Sequence, residues 1–464
     1  LLNGNNSAML IDSTSNISSS STGVVVMLLD GRYGLPFPAG YSADGENAGT
    51  IVLGNDSAAV YGKNGTRLKN SGSITLGSNS VGVYNVGASS ETENIGIITL
   101  GNNSTGLYQN NGTNIINNGI INGTGTGAVG MYTDSNTGVI NNTALIDLQG
   151  DKSIGIYAMG STQNIINSGT IKLGNSSLMN DPSIGIYTNN TTDTIINTGN
   201  IEAGSRSLGI YSLGTQVDHV SGTIKAGSEG TGIYKDTGLL RIHSGAVIEA
   251  LAGEAAGLYG INGAGITADS GAIFNIGYGS YGIIAESGAT LLNSASITLG
   301  DNSIFTYGNN SGGIVNNGAV NITGSDNTAF YMVKGGSIIN NANITGTAGT
   351  GNIGIYNRGV YTTEVLQADG TMKLEGLITE GYIENNADIT LGDSFLVTDA
   401  YGVKTGYSVG MYGEGSSVVN NGGRTITVGK EGVGIFASDA GTTSYNYGNI
   451  IGNGDRAIGM FADN

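Results

Sequence analysis

The side chains able to do chemistry are few and thinly spread. The sequence of 464 residues carries 35 Asp and Glu, 17 Lys and Arg, 2 His and no Cys. Glycosidic hydrolysis needs two carboxyl groups about 5 to 9.5 Å apart. Glu202 with Asp218, or Glu229, Glu249 and Glu254, are the acids whose spacing offers such a pair. None stands in a cluster of Arg or Lys. His219 and His243 lie 24 residues apart and read as two surface histidines, since a metal site needs more ligands than two. Serine acyl transfer of the Gly-x-Ser-x-Gly kind requires a strand-to-helix turn, and nothing here reads as a helix. Calcium stays open at Asp-Asn turns such as Asp301-Asn302. The expectation is therefore no catalytic residue, no metal site and no cofactor.

Aromatic rings beside acids suggest binding instead. Such pairs stack on sugar rings and accept their hydroxyls, or anchor a protein hot spot. They gather where an otherwise regular pattern breaks. Residues 30–46 contain Tyr33, Phe37 and Tyr41. Residues 357–382 contain Tyr361, Glu364, Asp369, Glu375 and Tyr382, and residues 393–408 contain Phe395, Asp399, Tyr401 and Tyr407. These are the candidate ligand-binding residues. The competing reading is of loops that fold over a seam and protect it. A fourth interruption, 175–183, is shorter.

The pattern they break is a repeat. Residues 153–174, SIGIYAMGSTQNIINSGTIKLG, return almost unchanged from Ser183 as SIGIYTNNTTDTIINTGNIEAG. The aromatic of this unit falls at Tyr61, Tyr84, Tyr108, Tyr132, Tyr157, Tyr187, Tyr211, Tyr234 and Tyr259, then at Ile284, Tyr307, Tyr331, Tyr356, Tyr412, Phe436 and Phe461. The steps are 23 to 25 residues, apart from 30 between Tyr157 and Tyr187 and 56 between Tyr356 and Tyr412. Each unit holds three short β-branched runs bounded by Gly, Asn and Ser, which read as strands. Near-identical units satisfy their backbones best by stacking, each strand parallel to its copy about 4.8 Å away. The prediction is an all-β fold: a parallel, right-handed β-helix with three strands per coil. It would be one continuous solenoid over 1–464, of about 16–18 coils and about 75–90 Å long. The step of 56 is then one coil of 24 plus 32 inserted residues shared by 357–382 and 393–408, flanking one half-coil, so that they could meet as a single projection. A register with two coils and one short insertion stays open.

Within a unit, Ile156 should point inward and alternation then turns Gly155 and Tyr157 outward. The tyrosines would form a ladder, coil over coil. A second ladder is expected from Asn70, Asn94, Asn117, Asn142, Asn167, Asn197, Asn293, Asn316, Asn340 and Asn385, with side-chain amides hydrogen-bonded along the axis. Val220, His243 and Asp269 would interrupt it.

Composition agrees. There are 82 Gly, 3 Pro and no Trp, with 23 Tyr and 38% hydrophobic residues. That is too apolar for a disordered linker. A formal charge of −18 disfavours nucleic acid, which wants a basic surface. The longest apolar run, Val24 to Leu29, is too short to span a bilayer. The chain opens and closes in mid-repeat, which reads as a piece of something longer.

Asn70-Ser71-Gly72-Ser73-Ile74-Thr75-Leu76-Gly77 and Ser80-Val81-Gly82-Val83-Tyr84 carry a family likeness. The chain resembles the passenger domains of large bacterial autotransporter adhesins, most like those of fusobacteria. The resemblance covers essentially the whole chain. It implies a monomeric rod on the cell surface, on the outer face of the outer membrane, anchored through a barrel domain outside this sequence and exported by type V secretion. Its implied partners are a host-cell receptor or glycan, or other bacterial cells. A passive stalk, with the binding region elsewhere, and a β-helical polysaccharide-degrading enzyme are the alternatives.

Overall fold

The computed structural model describes residues 8–30, 44–161, 164–189, 194–251, 253–366, 372–399, 402–439 and 441–463. They form two compact units, Leu1–Tyr234 and Lys235–Asn464. Each is a parallel β-solenoid of the right-handed type with three strands per coil, and no helix occurs among the described residues. In the first unit one coil runs Ile154–Met159, Ile165–Asn167, Thr170–Leu173. These strands belong to three sheets, called here the tyrosine, asparagine and third sheets. Tyr157 pairs with Tyr132 and Tyr187, Asn167 with Asn142 and Asn197, Ile171 with Ile146 and Ile201. The predicted repeat is thus the structural repeat.

The core is a stack of inward β-branched side chains. Ile156, Ile165 and Ile171 are at most 1% exposed, each contributing about 1.5–3 kcal/mol of burial. Gly155 does not face outward as simple alternation predicts. It is buried, and in the pairing of Ile154 with Ile184 and Ile156 with Ile186 it is skipped. A Cβ there would lie 2.8 Å from Ile171 Cγ2 and 2.5 Å from the Gly185 carbonyl oxygen. In this coil two successive inward positions fit because Gly155 has no side chain, whereas Ala59 with Val60, Phe305 with Thr306 and Ala329 with Phe330 fill both positions in other coils.

Both ladders form. In the first unit the tyrosine rings from Tyr61 to Tyr211 stack with centroids 4.5–5.5 Å apart. Each buried asparagine donates through Nδ2 to Oδ1 of the next, at 2.7–2.8 Å, from Asn47 through Asn197. In the second unit the same chain runs from Asn293 to Asn446. The interruptions sit one residue earlier than predicted. His219 pairs with Asn197, and Ile242 and Ala268 hold the equivalent place before Asn293. The reason is a longer turn: Gly222, Gly245 and Gly271 have φ of +78°, +84° and +88°, whereas the Asn-x-Gly corners do not use the left-handed region. Counting back from the glycine therefore slips by one. His219 is consequently not a surface residue. It is fully buried, with Nδ1 3.0 Å from Asn197 Nδ2, while His243 lies beside Asp269.

In the second unit Tyr356 pairs directly with Tyr412, Asn385 with Asn340 and Asn420, and Ile389 with Ile344 and Ile426. One coil therefore carries both long insertions, as the counting predicts.

Candidate functional site

The two insertions are hairpins, built at the two ends of the tyrosine strand. The strand Ile353–Arg358 runs on through Gly359 into an antiparallel pair, Val360–Leu366 with Met372–Thr379, before the coil resumes at Gly381–Asn385. A second pair, Phe395–Asp399 with Gly402–Gly406, stands between Ile389–Leu391 and Val409–Glu414. They form two separate sheets. The six residues of Val409–Glu414 set their bases roughly 17 Å apart at the strand rise, so the expected single projection is two.

Alternation along the first hairpin turns part of it down onto the solenoid. Tyr361 is 8% exposed and its ring lies against Gly415. Its hydroxyl has no hydrogen-bond partner, and burial, then the charges of Asp439 and Glu414, push its pKa up to about 12. Leu377 lies against Gly359, Gly415 and Gly441. Glu364 accepts from Arg358 Nη2 at 3.2 Å. The Tyr382 hydroxyl donates to Glu384 at 3.0 Å. Phe395, in the second hairpin, seats its ring on Gly351 and Gly406. Glu375 and Tyr407 face solvent, as do Val365 and Ile378. Tyr33, Phe37, Tyr41, Asp369 and Tyr401, with the side chain of Asp399, lie outside the described residues.

Beneath the first hairpin a polar cluster has formed that sequence reasoning missed. Glu414 accepts from the Tyr356 hydroxyl at 2.6 Å and the Tyr412 hydroxyl at 2.8 Å. Burial, then the charge of Glu414, raises the pKa of Tyr356. Burial and the same carboxylate also raise that of Asp439. The signal was present: Glu414 stands two residues after its coil's aromatic, and Glu286, in the same place of another coil, accepts from Tyr259. A second missed residue is Lys235, fully buried, its pKa lowered by desolvation to about 8.

Glu202 and Asp218, weighed as one catalytic pair, lie in different sheets of the first unit. Glu202 lies in the third sheet, 3.4 Å from Lys172, and Asp218 in the asparagine sheet, accepting from Gln216. Glu229 is held by Arg206 at 2.8 Å and Glu249 accepts from Asn275 at 3.1 Å. Asp301 is spent on its own corner, accepting from the Ser325 amide at 2.7 Å. Among the described residues no three His, Asp or Glu side chains converge on one point as metal ligands would.

No curated protein and no solved structure matches the chain. One family does, described as the BigA third pectate lyase-like domain, over residues 5–216 and 230–464. These two stretches largely coincide with the two compact units. "Pectate lyase-like" describes the coil architecture already on the page, and it leaves catalysis unaddressed. The chain belongs to the BigA third pectate lyase-like domain family, and is thus a passenger-like β-helical domain of a bacterial surface or secreted protein.

Proposed function

We propose that this chain is an adhesin segment of an autotransporter on the outer face of the outer membrane, and that it presents its inserted hairpins to a host-cell or microbial surface ligand without turnover. The observation that carries this reading is the placement of the hairpins. They interrupt one coil of the second unit, and the exposed Glu375, Ile378 and Tyr407 lie in or beside them. Insertions on a repeat scaffold are where binding usually resides. The family likeness supports the surface setting. The finer assignment, to large adhesins of the fusobacterial type, rests on the repeat sequence alone.

One observation favours a second reading. Tyr361, Leu377 and Phe395 are spent covering glycines of the solenoid, which suits a passive stalk whose first hairpin seals a seam. The two readings part on one experiment. The whole chain and a version with 360–379 and 395–406 each replaced by a Gly-Ser turn are tested for binding to panels of host and bacterial cells. Saturable binding lost on replacement, with the β-sheet circular dichroism intact, is the expected result. Equal binding by both forms overturns the hairpin reading and puts the ligand elsewhere on the chain; none by either overturns it and leaves the stalk.

A further inference from the structure

A groove of about 430 Å³ lies in the second unit, at the corner where the third sheet turns into the tyrosine sheet; the second hairpin leaves from the same corner further along, and its Phe395 rests on Gly351, beside Asp326. Four successive coils build it. At this corner each coil has one residue in the left-handed region: Glu254, Gly279, Asn302 and Asp326, with φ of 59°, 66°, 53° and 60°. The left-handed backbone turns these side chains outward as one rim. Gly279 leaves a notch in that rim, and beside it Tyr278 stands 67% exposed. The floor is the first outward position of the tyrosine strands, where Tyr281, Ile304 and Thr328 pair in register. Tyr281 is held edge-on by Tyr307, with centroids 6.1 Å apart.

The lining has a definite chemistry. It offers two aromatic rings, an amide and two carboxylates, and no Lys or Arg. Asp326 stands exposed at one end of the rim. A chain of net charge −18 repels anions. Rings with a polar rim suit a ligand that has an apolar face and an equator of hydroxyls. From Glu254 to Asp326 the groove covers three coil steps, about 14 Å, enough for more than one ring. That separation exceeds the 5 to 9.5 Å of a hydrolytic pair, so these two acids hold rather than cleave.

We propose that this groove binds a neutral oligosaccharide, its pyranose faces stacked on Tyr278 and Tyr281 and its hydroxyls hydrogen-bonded to Glu254, Asn302 and Asp326. This goes beyond the adhesin reading, because no hairpin residue lines the groove.

The test uses the whole chain on an array of neutral gluco-, galacto-, manno- and N-acetylhexosamine oligosaccharides, with sialylated and sulfated counterparts and an oligolysine peptide. The variants are Tyr278→Ala, Asn302→Ala and Gly253→Leu. Gly253 lines the groove, and a Cβ there meets nothing within 4 Å, so the last variant blocks without disturbing the fold. Tyr447→Ala, an exposed tyrosine elsewhere in the unit, is the control. The expected result is saturable binding to neutral sugars, weakened at least tenfold, about 1.4 kcal/mol, in Tyr278→Ala and Gly253→Leu and unchanged in Tyr447→Ala. Binding that survives both groove variants overturns the site. Retention of oligolysine alone, lost in salt, overturns the ligand class, and no retention of any neutral sugar overturns the proposal. A chain with only the first hairpin, 360–379, replaced must still bind the sugar. If it binds sugar but not cells, the adhesin reading and this one stand apart. If the whole chain binds cells but no neutral sugar, only this one falls.

Discussion

Two buried polar side chains show how far single residues depart from the repeat. Lys235 occupies an inward position that elsewhere holds Ala158, Thr188 or Ser212. Its pKa falls from 10.5 to about 8 because burial disfavours the ammonium. Below pH 8 the folded state holds that ammonium at a cost. As pH rises from about 8 toward 10.5, only the unfolded chain still binds the proton, so stability rises through this window. The tyrosines of the ladder, whose pKa values are raised above 10 by burial, reverse the trend from pH 10 upward. Denaturation between pH 7 and 9.5 should show the rise. Lys235→Met should remove it and stabilise the chain at pH 7 by up to about 3 kcal/mol. A flat profile in the parent chain would refute the burial. Tyr361 makes the opposite point, since its buried hydroxyl has no partner. Tyr361→Phe should therefore leave stability unchanged or raise it by about 1 kcal/mol, read as the denaturant midpoint. A clear loss would mean that the hydroxyl is bonded after all.

At the scale of the element, the asparagine corner couples one coil to the next. Asn117 donates to Asn142 and accepts from Asn94, both at 2.8 Å and fully buried. Asn117→Ala breaks both bonds and strands an acceptor on one neighbour and a donor on the other, for a cost of about 2–4 kcal/mol. The effect should be local, because each coil touches only its neighbours. Amide hydrogen exchange should accelerate in the coils of Asn94, Asn117 and Asn142 and remain slow at Asn316 and Asn340. Uniform acceleration along the chain would contradict nearest-neighbour coupling. The glycine of the same corner is equally constrained: a Cβ on Gly96 would collide with the carbonyl oxygen of Gly72. Asparagine and glycine thus recur together because one supplies the axial hydrogen bond and the other admits the close backbone approach.

At the scale of the molecule, charge and repetition dominate. A charge of −18 on 464 residues works against compactness. Thermal unfolding followed by circular dichroism should therefore shift to higher temperature, by a few degrees, between 10 mM and 500 mM NaCl as the Debye length falls from about 30 Å to below 8 Å. A fall in the midpoint would indicate that ion pairs such as Lys172 with Glu202 and Arg206 with Glu229 outweigh the net repulsion. The family match over 5–216 and 230–464 makes each unit a domain-sized stretch of coils. The aromatic spacing runs through that division unchanged, and only the break in the asparagine ladder, at His219, Ile242 and Ala268, falls beside it.

The coil itself was legible in the sequence. Three β-branched runs per period, closed by Asn and Gly, leave the backbone one way to pair, so the sheets, the tyrosine ladder and the shared coil of the two insertions followed from counting. Local alternation failed at Gly155, where contact with Ile171 across the core, not the strand's own period, sets the direction. It failed again at His219, where turn length depends on φ at Gly222. The candidate site was legible only as a location. That residues 357–382 and 393–408 leave the coil could be counted. That Tyr361 and Phe395 turn down onto glycines, that Glu414 gathers two tyrosine hydroxyls, and that Tyr278 stands beside a notch at Gly279 depend on which side chains adjacent coils bring together. Stacking a period of varying length decides those meetings, and spacing along one coil does not contain them.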